Sequence, residues 1–116
     1  RIIMNFNQVQ AEVGAWSEMN FGDQPSYKLL LGVVEEVGEL SHCVLKQSQG
    51  IRMTEDHKEG IVDAVGDIVI YLMDFCCREN LSLEACVDHT WTQVRERDWK
   101  VNPNTGAPNA YVGPDI

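Results

Sequence analysis

Ile61-Val62-Asp63-Ala64-Val65-Gly66-Asp67-Ile68-Val69-Ile70-Tyr71-Leu72-Met73-Asp74-Phe75-Cys76-Cys77 is mostly apolar, interrupted by single acids and one glycine. Nothing in it alternates as a half-buried strand would, so it reads as the body of a central helix. Upstream, Thr54 is a suitable N-cap, and the first turn after it is rich in acids, which the helix dipole favours. The helix is expected to reach about Asn80. Before it, a second long helix is expected from about Ser26, as N-cap, to about Gln49, with Gly50 as the stop. Leu30, Val34, Val37, Leu40 and Val44 hold one face of that helix, and Leu29, Leu31, Val33 and Leu45 widen it. Phe6, Val9, Val13, Trp16 and Met19 recur at helical spacing in a first helix, ended by the turn chemistry of Asn20 to Pro25. Ser82 starts a fourth, in which Leu83, Val87, Trp91 and Val94 share a face. Beyond Trp99 the chain reads as irregular, with an extended end at Tyr111-Val112. The expectation is a single all-α domain over 1–116, an antiparallel four-helix bundle-like fold with its core in about 5–100 and an irregular tail over 101–116. The apolar width of the second and third helices suggests dimerisation through helices, as a homodimer or homotetramer; a monomer with a thick core is the alternative.

The chain has 116 residues, 44% of them hydrophobic and 23% charged, as in a globular protein rather than a disordered one. Its formal net charge of −9 argues against binding nucleic acid through a basic face, because phosphate would be repelled. A nucleotide bridged by Mg²⁺ stays compatible with that charge. The apolar runs are too short for a membrane span and no signal-peptide pattern opens the chain, so a cytoplasmic protein without a membrane partner is expected. Cys43, Cys76, Cys77 and Cys86 form no CxxC pair and read as core fillers.

A weak internal repeat carries the chemistry. Val33-Val34-Glu35-Glu36-Val37-Gly38-Glu39-Leu40 aligns without gaps on Ile61-Val62-Asp63-Ala64-Val65-Gly66-Asp67-Ile68. Glu35 matches Asp63, Glu39 matches Asp67, Gly38 matches Gly66, and Glu36 meets Ala64. Both segments lie near the middle of helices joined as a hairpin, so the two acid clusters are expected at similar height, facing each other. Glu36 and Glu39 are three apart and Asp63 and Asp67 four apart, so each pair projects from one side of its helix. Gathering such carboxylates is costly unless a cation offsets the repulsion, and oxygen-only donors point to Mg²⁺, with Mn²⁺ as a substitute. The mid-helix glycines would let the helices approach. A solvated acidic face, with glycines marking a helix crossing, is the other reading of the same residues.

Glu35-Glu36-Val37-Gly38-Glu39 resembles the EExxE motif of the MazG-like, all-α nucleoside triphosphate pyrophosphohydrolases, and Asp63-Ala64-Val65-Gly66-Asp67 resembles their ExxD motif. The likeness extends through Asn20-Phe21-Gly22, the segment from Leu45-Lys46 to Gly50-Ile51-Arg52, and Arg97-Asp98-Trp99-Lys100 with Asn102-Pro103, over about residues 5–105. What it implies is hydrolysis of a (deoxy)nucleoside triphosphate to the monophosphate and pyrophosphate, as nucleotide-pool house-cleaning, with Mg²⁺ held by the motif acids. Glu36, Glu39 and Asp67 carry over as metal ligands. The first acid of ExxD falls on Ala64, and Asp63 is its candidate replacement: positions 63 and 67 differ by about 40° around the helix, and 64 and 67 by about 60° in the opposite sense. Glu35 is the candidate second-metal ligand or water-orienting base, against an exposed helix acid. Lys46, Tyr71, Arg97 and Lys100 are candidate substrate contacts, each with an ordinary structural alternative. Asp74 stands four before Arg78, and an i,i+4 ion pair accounts for it.

Trp16 and Trp91 fit either base stacking or the core, and their spacing favours the core. Glu39-x-x-His42 matches half of a di-iron bundle signature, which only a second chain would complete. His57 and His89 read as surface or capping residues. Against the enzyme stands a catalytically inactive module of the same fold that binds nucleotide or metal and oligomerises.

Overall fold

The computed structural model describes residues 4–108. It is all-α: α1 (Phe6–Phe21), α2 (Ser26–Gln49), α3 (His57–Arg78) and α4 (Leu83–Val94), with no strand among the described residues. The extended end expected at Tyr111-Val112 lies outside them. By contact the chain divides into two compact units, Arg1–Leu83 and Glu84–Ile116. No helix among the described residues is long and apolar enough to cross a membrane.

The caps differ in part from those the sequence suggests. Asn5 opens α1, its side chain accepting from the Gln8 N–H at 3.1 Å, and Gly22 ends it at φ 74°. Ser26 is the first residue of α2 rather than its cap; Pro25 precedes it and supplies no side-chain bond, while the Ser26 hydroxyl donates to Glu79 at the far end of α3. Asp56, not Thr54, caps α3 by accepting from the Glu59 N–H at 3.0 Å, and α3 stops at Arg78. Asp56 directly precedes the first helical residue, His57, whereas Thr54 stands two residues further out, so the backbone places only Asp56 to cap. Gly50 ends α2 in the left-handed conformation, as its position predicts.

In the first unit α3 packs against both α2 and α1. The close approaches are at glycines other than those of the repeat. A Cβ on Gly32 would enter the Tyr71 ring, one on Gly60 would meet the Cys43 sulfur, and one on Gly14 the Cys77 sulfur. Gly38 and Gly66 have nothing within 4 Å of where a Cβ would stand, so they do not bring α2 and α3 together.

The apolar stripes are also turned from their expected direction. The buried apolar residues of the described chain are Leu29, Ala64, Met73 and Cys76, whereas Leu30, Val34, Val37 and Val44 of α2 are exposed, Val34 by 61%. In α1 the buried residues are Gln10 and Ser17, while Trp16 and Met19 face outward. Polar bonds therefore tie α1 to the end of α3 and to the residues that follow it. The Gln10 amide donates to the Leu81 carbonyl and accepts from the Leu83 N–H, both at 2.8 Å. Arg78 donates to the Ser17 hydroxyl at 3.3 Å and to the Gly22 carbonyl at 3.2 Å, and it pairs with Asp23.

In the second unit, residues 98–107 form a hydrogen-bonded loop. Asp98 accepts from the N–H groups of Lys100 and Val101, the Gly106 carbonyl accepts from the Asp98 N–H at 2.9 Å, and Gly106 at φ 68° lies against the Trp99 ring.

Candidate functional site

Three contacts fix how α2 meets α3: Gly32 with Tyr71, Glu36 with Asp67, and Cys43 with Gly60. Four and then seven residues forward along α2 match four and then seven back along α3, so the helices run antiparallel in one register. Three further residues each way place Glu39 opposite Ala64. The inward line of α2 thus carries an acid at its centre.

Glu36 and Asp67 share a side-chain hydrogen bond across this seam. The Glu36 carboxyl is held above the ordinary glutamate range, first by its burial and then by the negative charges of Asp67, Glu35 and Glu39; donation of its proton to Asp67 adds to the effect. Of the expected set of Glu36, Glu39, Asp63 and Asp67, Glu39 and Asp67 thus act on Glu36, together with Glu35. Asp63 is exposed and is not among the groups acting on Glu36. Ala64 is only 3% exposed, so an acid in its place would have to displace packed neighbours. Among the described residues, no three His, Cys, Asp or Glu side chains converge closely enough, as placed, to hold a metal ion.

Asp67 also belongs to a second feature, a cavity of about 340 Å³ in the first unit. Trp16 and Phe21 of α1 form one wall, Lys28 of α2 contributes a cation, and Tyr71 and Asp74 of α3 continue the line from Asp67. The Trp16 and Phe21 rings meet edge to face, with centroids 5.7 Å apart and planes at 82°. Trp16 is 53% exposed, so its place is this cavity mouth rather than the core that its spacing suggests. Lys28 was not singled out from sequence, and Phe21 entered there only within Asn20-Phe21-Gly22. Lys28, Gly32 and Glu36 recur every four residues, and that line along α2 was the available signal.

The remaining candidates are placed as follows. Tyr71 lines the cavity with its ring over Gly32. The Lys46 ammonium donates to the Gln49 side chain at 3.3 Å. Arg97 and Lys100 are exposed and belong to the second unit, beyond the end of α4 rather than in its last turn. His42 faces Glu55 at 3.9 Å, and the same oxygen stands 3.9 Å from His57. His57 is buried rather than on the surface, its ring nitrogen 3.1 Å from the Ile51 carbonyl. Asp74 and Arg78 form the expected i,i+4 pair, at 3.5 Å.

The chain matches no model of a known protein family, no curated protein and no solved structure.

Proposed function

We propose that this protein is a Mg²⁺-dependent, MazG-like pyrophosphohydrolase that cleaves (deoxy)nucleoside triphosphates to the monophosphate and pyrophosphate. One observation carries the reading: Asp67 is shared between the acid cluster and the aromatic-walled cavity. A ligand with a flat ring between Trp16, Phe21 and Tyr71 would extend its polar end over Glu36, Glu39 and Asp67. If that end is a polyphosphate, only a cation reconciles it with the acids.

The donor set suits a hard divalent ion, being all oxygen and already destabilised by mutual repulsion at Glu36. Glu36, Glu39 and Asp67 would hold it, with Asp63 as a further donor. Bound there, Mg²⁺ or Mn²⁺ would supply neutralisation of the triphosphate and a more acidic water. Glu35, adjacent on the same helix, is suited to orient and deprotonate the attacking water. Tyr71 donates to the phosphates from the cavity wall, and Lys46 is the cationic contact in this proposal. The exposed Val34, Val37, Val62 and Val65, beside the open Gly38 and Gly66, support assembly as a homodimer or homotetramer that covers them. The proposed setting is cytoplasmic nucleotide-pool house-cleaning.

A second reading, an inactive nucleotide- or metal-binding module of this fold, is favoured by the buried Ala64 and by the lack of three convergent ligands among the described residues. A product assay with the common dNTPs and NTPs and Mg²⁺ separates the two. Monophosphate with pyrophosphate supports the enzyme. Nucleotide binding without turnover supports the module, and diphosphate with phosphate refutes the proposed bond cleavage.

A further inference from the structure

His57 is the first residue of α3, and its side chain is only 6% exposed. Its Nε2 atom lies 3.1 Å from the Ile51 carbonyl. A carbonyl only accepts, so Nε2 carries the ring proton. The neutral ring then has a bare lone pair at Nδ1, and that atom stands 3.9 Å from the Glu55 Oε1 atom. His42 brings its own Nε2 to the same oxygen, also at 3.9 Å. Two imidazoles and a carboxylate thus share one focus where α2, the loop over 50–56 and the start of α3 meet. Arg52 stands 3.6 Å from the other oxygen of Glu55 and leaves Oε1 to the two rings.

The spacing separates a shared proton from a shared metal ion. A proton held between imidazole and carboxylate draws them to about 2.7–2.9 Å, and both separations here are well beyond that. Two ligands at 2.0–2.1 Å from one tetrahedral zinc stand roughly 3.3 Å apart. As placed, the donors are about half an ångström too open to grip an ion. Rotation of the half-exposed His42 and Glu55 side chains closes that gap around a fixed His57. His57 is held as metal-ligating histidines are, with the second ring nitrogen donating to a carbonyl so that tautomer and ring plane are set in advance. Asp56 at the N-cap and Glu59 in the first turn offset the positive end of α3, which would otherwise oppose a cation. Two imidazole nitrogens and one carboxylate suit Zn²⁺, in contrast to the oxygen-only set around Glu36. Cys43 adds no ligand, because its sulfur packs at Gly60.

We propose that His42, Glu55 and His57 form a Zn²⁺ site that clips the α2–α3 turn. Three protein ligands leave a fourth position for water. The site stands apart from the nucleotide reading: His42 lies about 9 Å along α2 from Glu36, and zinc binding there needs neither nucleotide nor Mg²⁺.

The experiment is calorimetric titration of the full chain with Zn²⁺ in excess Mg²⁺, with Co²⁺ as a spectroscopic probe of the same site. One zinc per chain is expected, together with a melting temperature raised by the metal. Co²⁺ should show the visible absorption of a tetrahedral nitrogen and oxygen site. His42→Gln and Glu55→Gln are each expected to weaken zinc at least about tenfold, whereas Asp67→Asn should leave its affinity unchanged. His57→Gln should remove binding; if that variant does not fold, the other two positions decide the matter. No saturable zinc binding, unchanged affinity in His42→Gln or Glu55→Gln, loss of binding in a folded Asp67→Asn, or a cobalt spectrum with thiolate charge transfer would overturn the proposal.

Discussion

Replacing Glu36 by Gln isolates the physical cost of the acid cluster. The substitution keeps the length of the side chain and lets its amide donate to Asp67, but removes one of the charges that Asp67, Glu35 and Glu39 repel. Glu36 is half-buried, while the other three acids are exposed, so the repulsion belongs near the aqueous limit of about 1 kcal/mol for unit charges ~4 Å apart. The i,i+3 neighbour Glu39 adds roughly 0.2–0.5 kcal/mol. A net gain of about 1 kcal/mol corresponds to a rise of about 4–8 °C in melting temperature for a chain near this size. The pH dependence has a definite sign. Because the folded chain binds the Glu36 proton more tightly than the unfolded chain does, this contribution is full below the ordinary glutamate value of 4.5 and is lost as pH rises through the raised value. The variant is therefore expected to match the wild type in acid and to exceed it increasingly toward neutral pH. Thermal melts followed by helical circular dichroism from about pH 4 to about pH 8 read both curves. Mg²⁺ or Mn²⁺ should raise the wild-type melting temperature and raise that of the variant less. A variant that melts below the wild type at the upper end, or two curves that stay parallel, would refute the idea that these carboxylates oppose one another.

Glu39→Gln and Asp67→Asn are each expected to lower pyrophosphohydrolase turnover by orders of magnitude with an unchanged helical signal, measured by initial rates beside circular dichroism. Loss of folding instead would make the acids structural. Chelation with EDTA should abolish hydrolysis, and restored Mg²⁺ or Mn²⁺ should recover it; full activity in EDTA would exclude the mechanism. Gly32→Ala is expected to destabilise the chain by about 1–3 kcal/mol, as overpacking does, because the added methyl would enter the Tyr71 ring, and a denaturant midpoint reads this. Val34→Asp with Val37→Asp is expected to convert the proposed oligomer to monomer in sedimentation, since both valines are exposed on α2. An unchanged sedimentation coefficient would place the contact elsewhere.

The helices were legible because their signals are local. Asn20 to Pro25 and Gly50 break the chain where the helices end, and the apolar run from Ile61 to Cys77 lies within one helix. The caps were less legible, because Ser26, Thr54 and Asp56 all carry suitable side chains and only the path of the backbone decides which is used. Facing was less legible for a different reason. Periodicity reports which residues share a side of a helix but not what that side meets, and the wide apolar stripe of α2 did not say which of its residues meet α3. At the site, the pairing of Glu36 with Asp67 was foreshadowed by the repeat, whereas Lys28 enters the cavity from a position that carries no motif. Asp74 was visible as half of an ion pair.

The outward valines and the inward acids have one cause. Once Gly32 accepts the Tyr71 ring and Gly60 accepts the Cys43 sulfur, the register of α2 on α3 is set, and Glu36 necessarily falls on the seam between them. Val34 and Val37, two before and one after it, are then turned by roughly 200° and 100° around the helix. A hairpin ordered by its apolar residues would rotate α2 to bury those valines and expose Glu36. Tyr71 and Cys43 resist that rotation, since each fills a notch that only glycine leaves open. The two glycine notches therefore hold α2 in an orientation that costs apolar burial and charge repulsion together, and the coincidence of both costs at one place is what supports the proposed site over a merely solvated face.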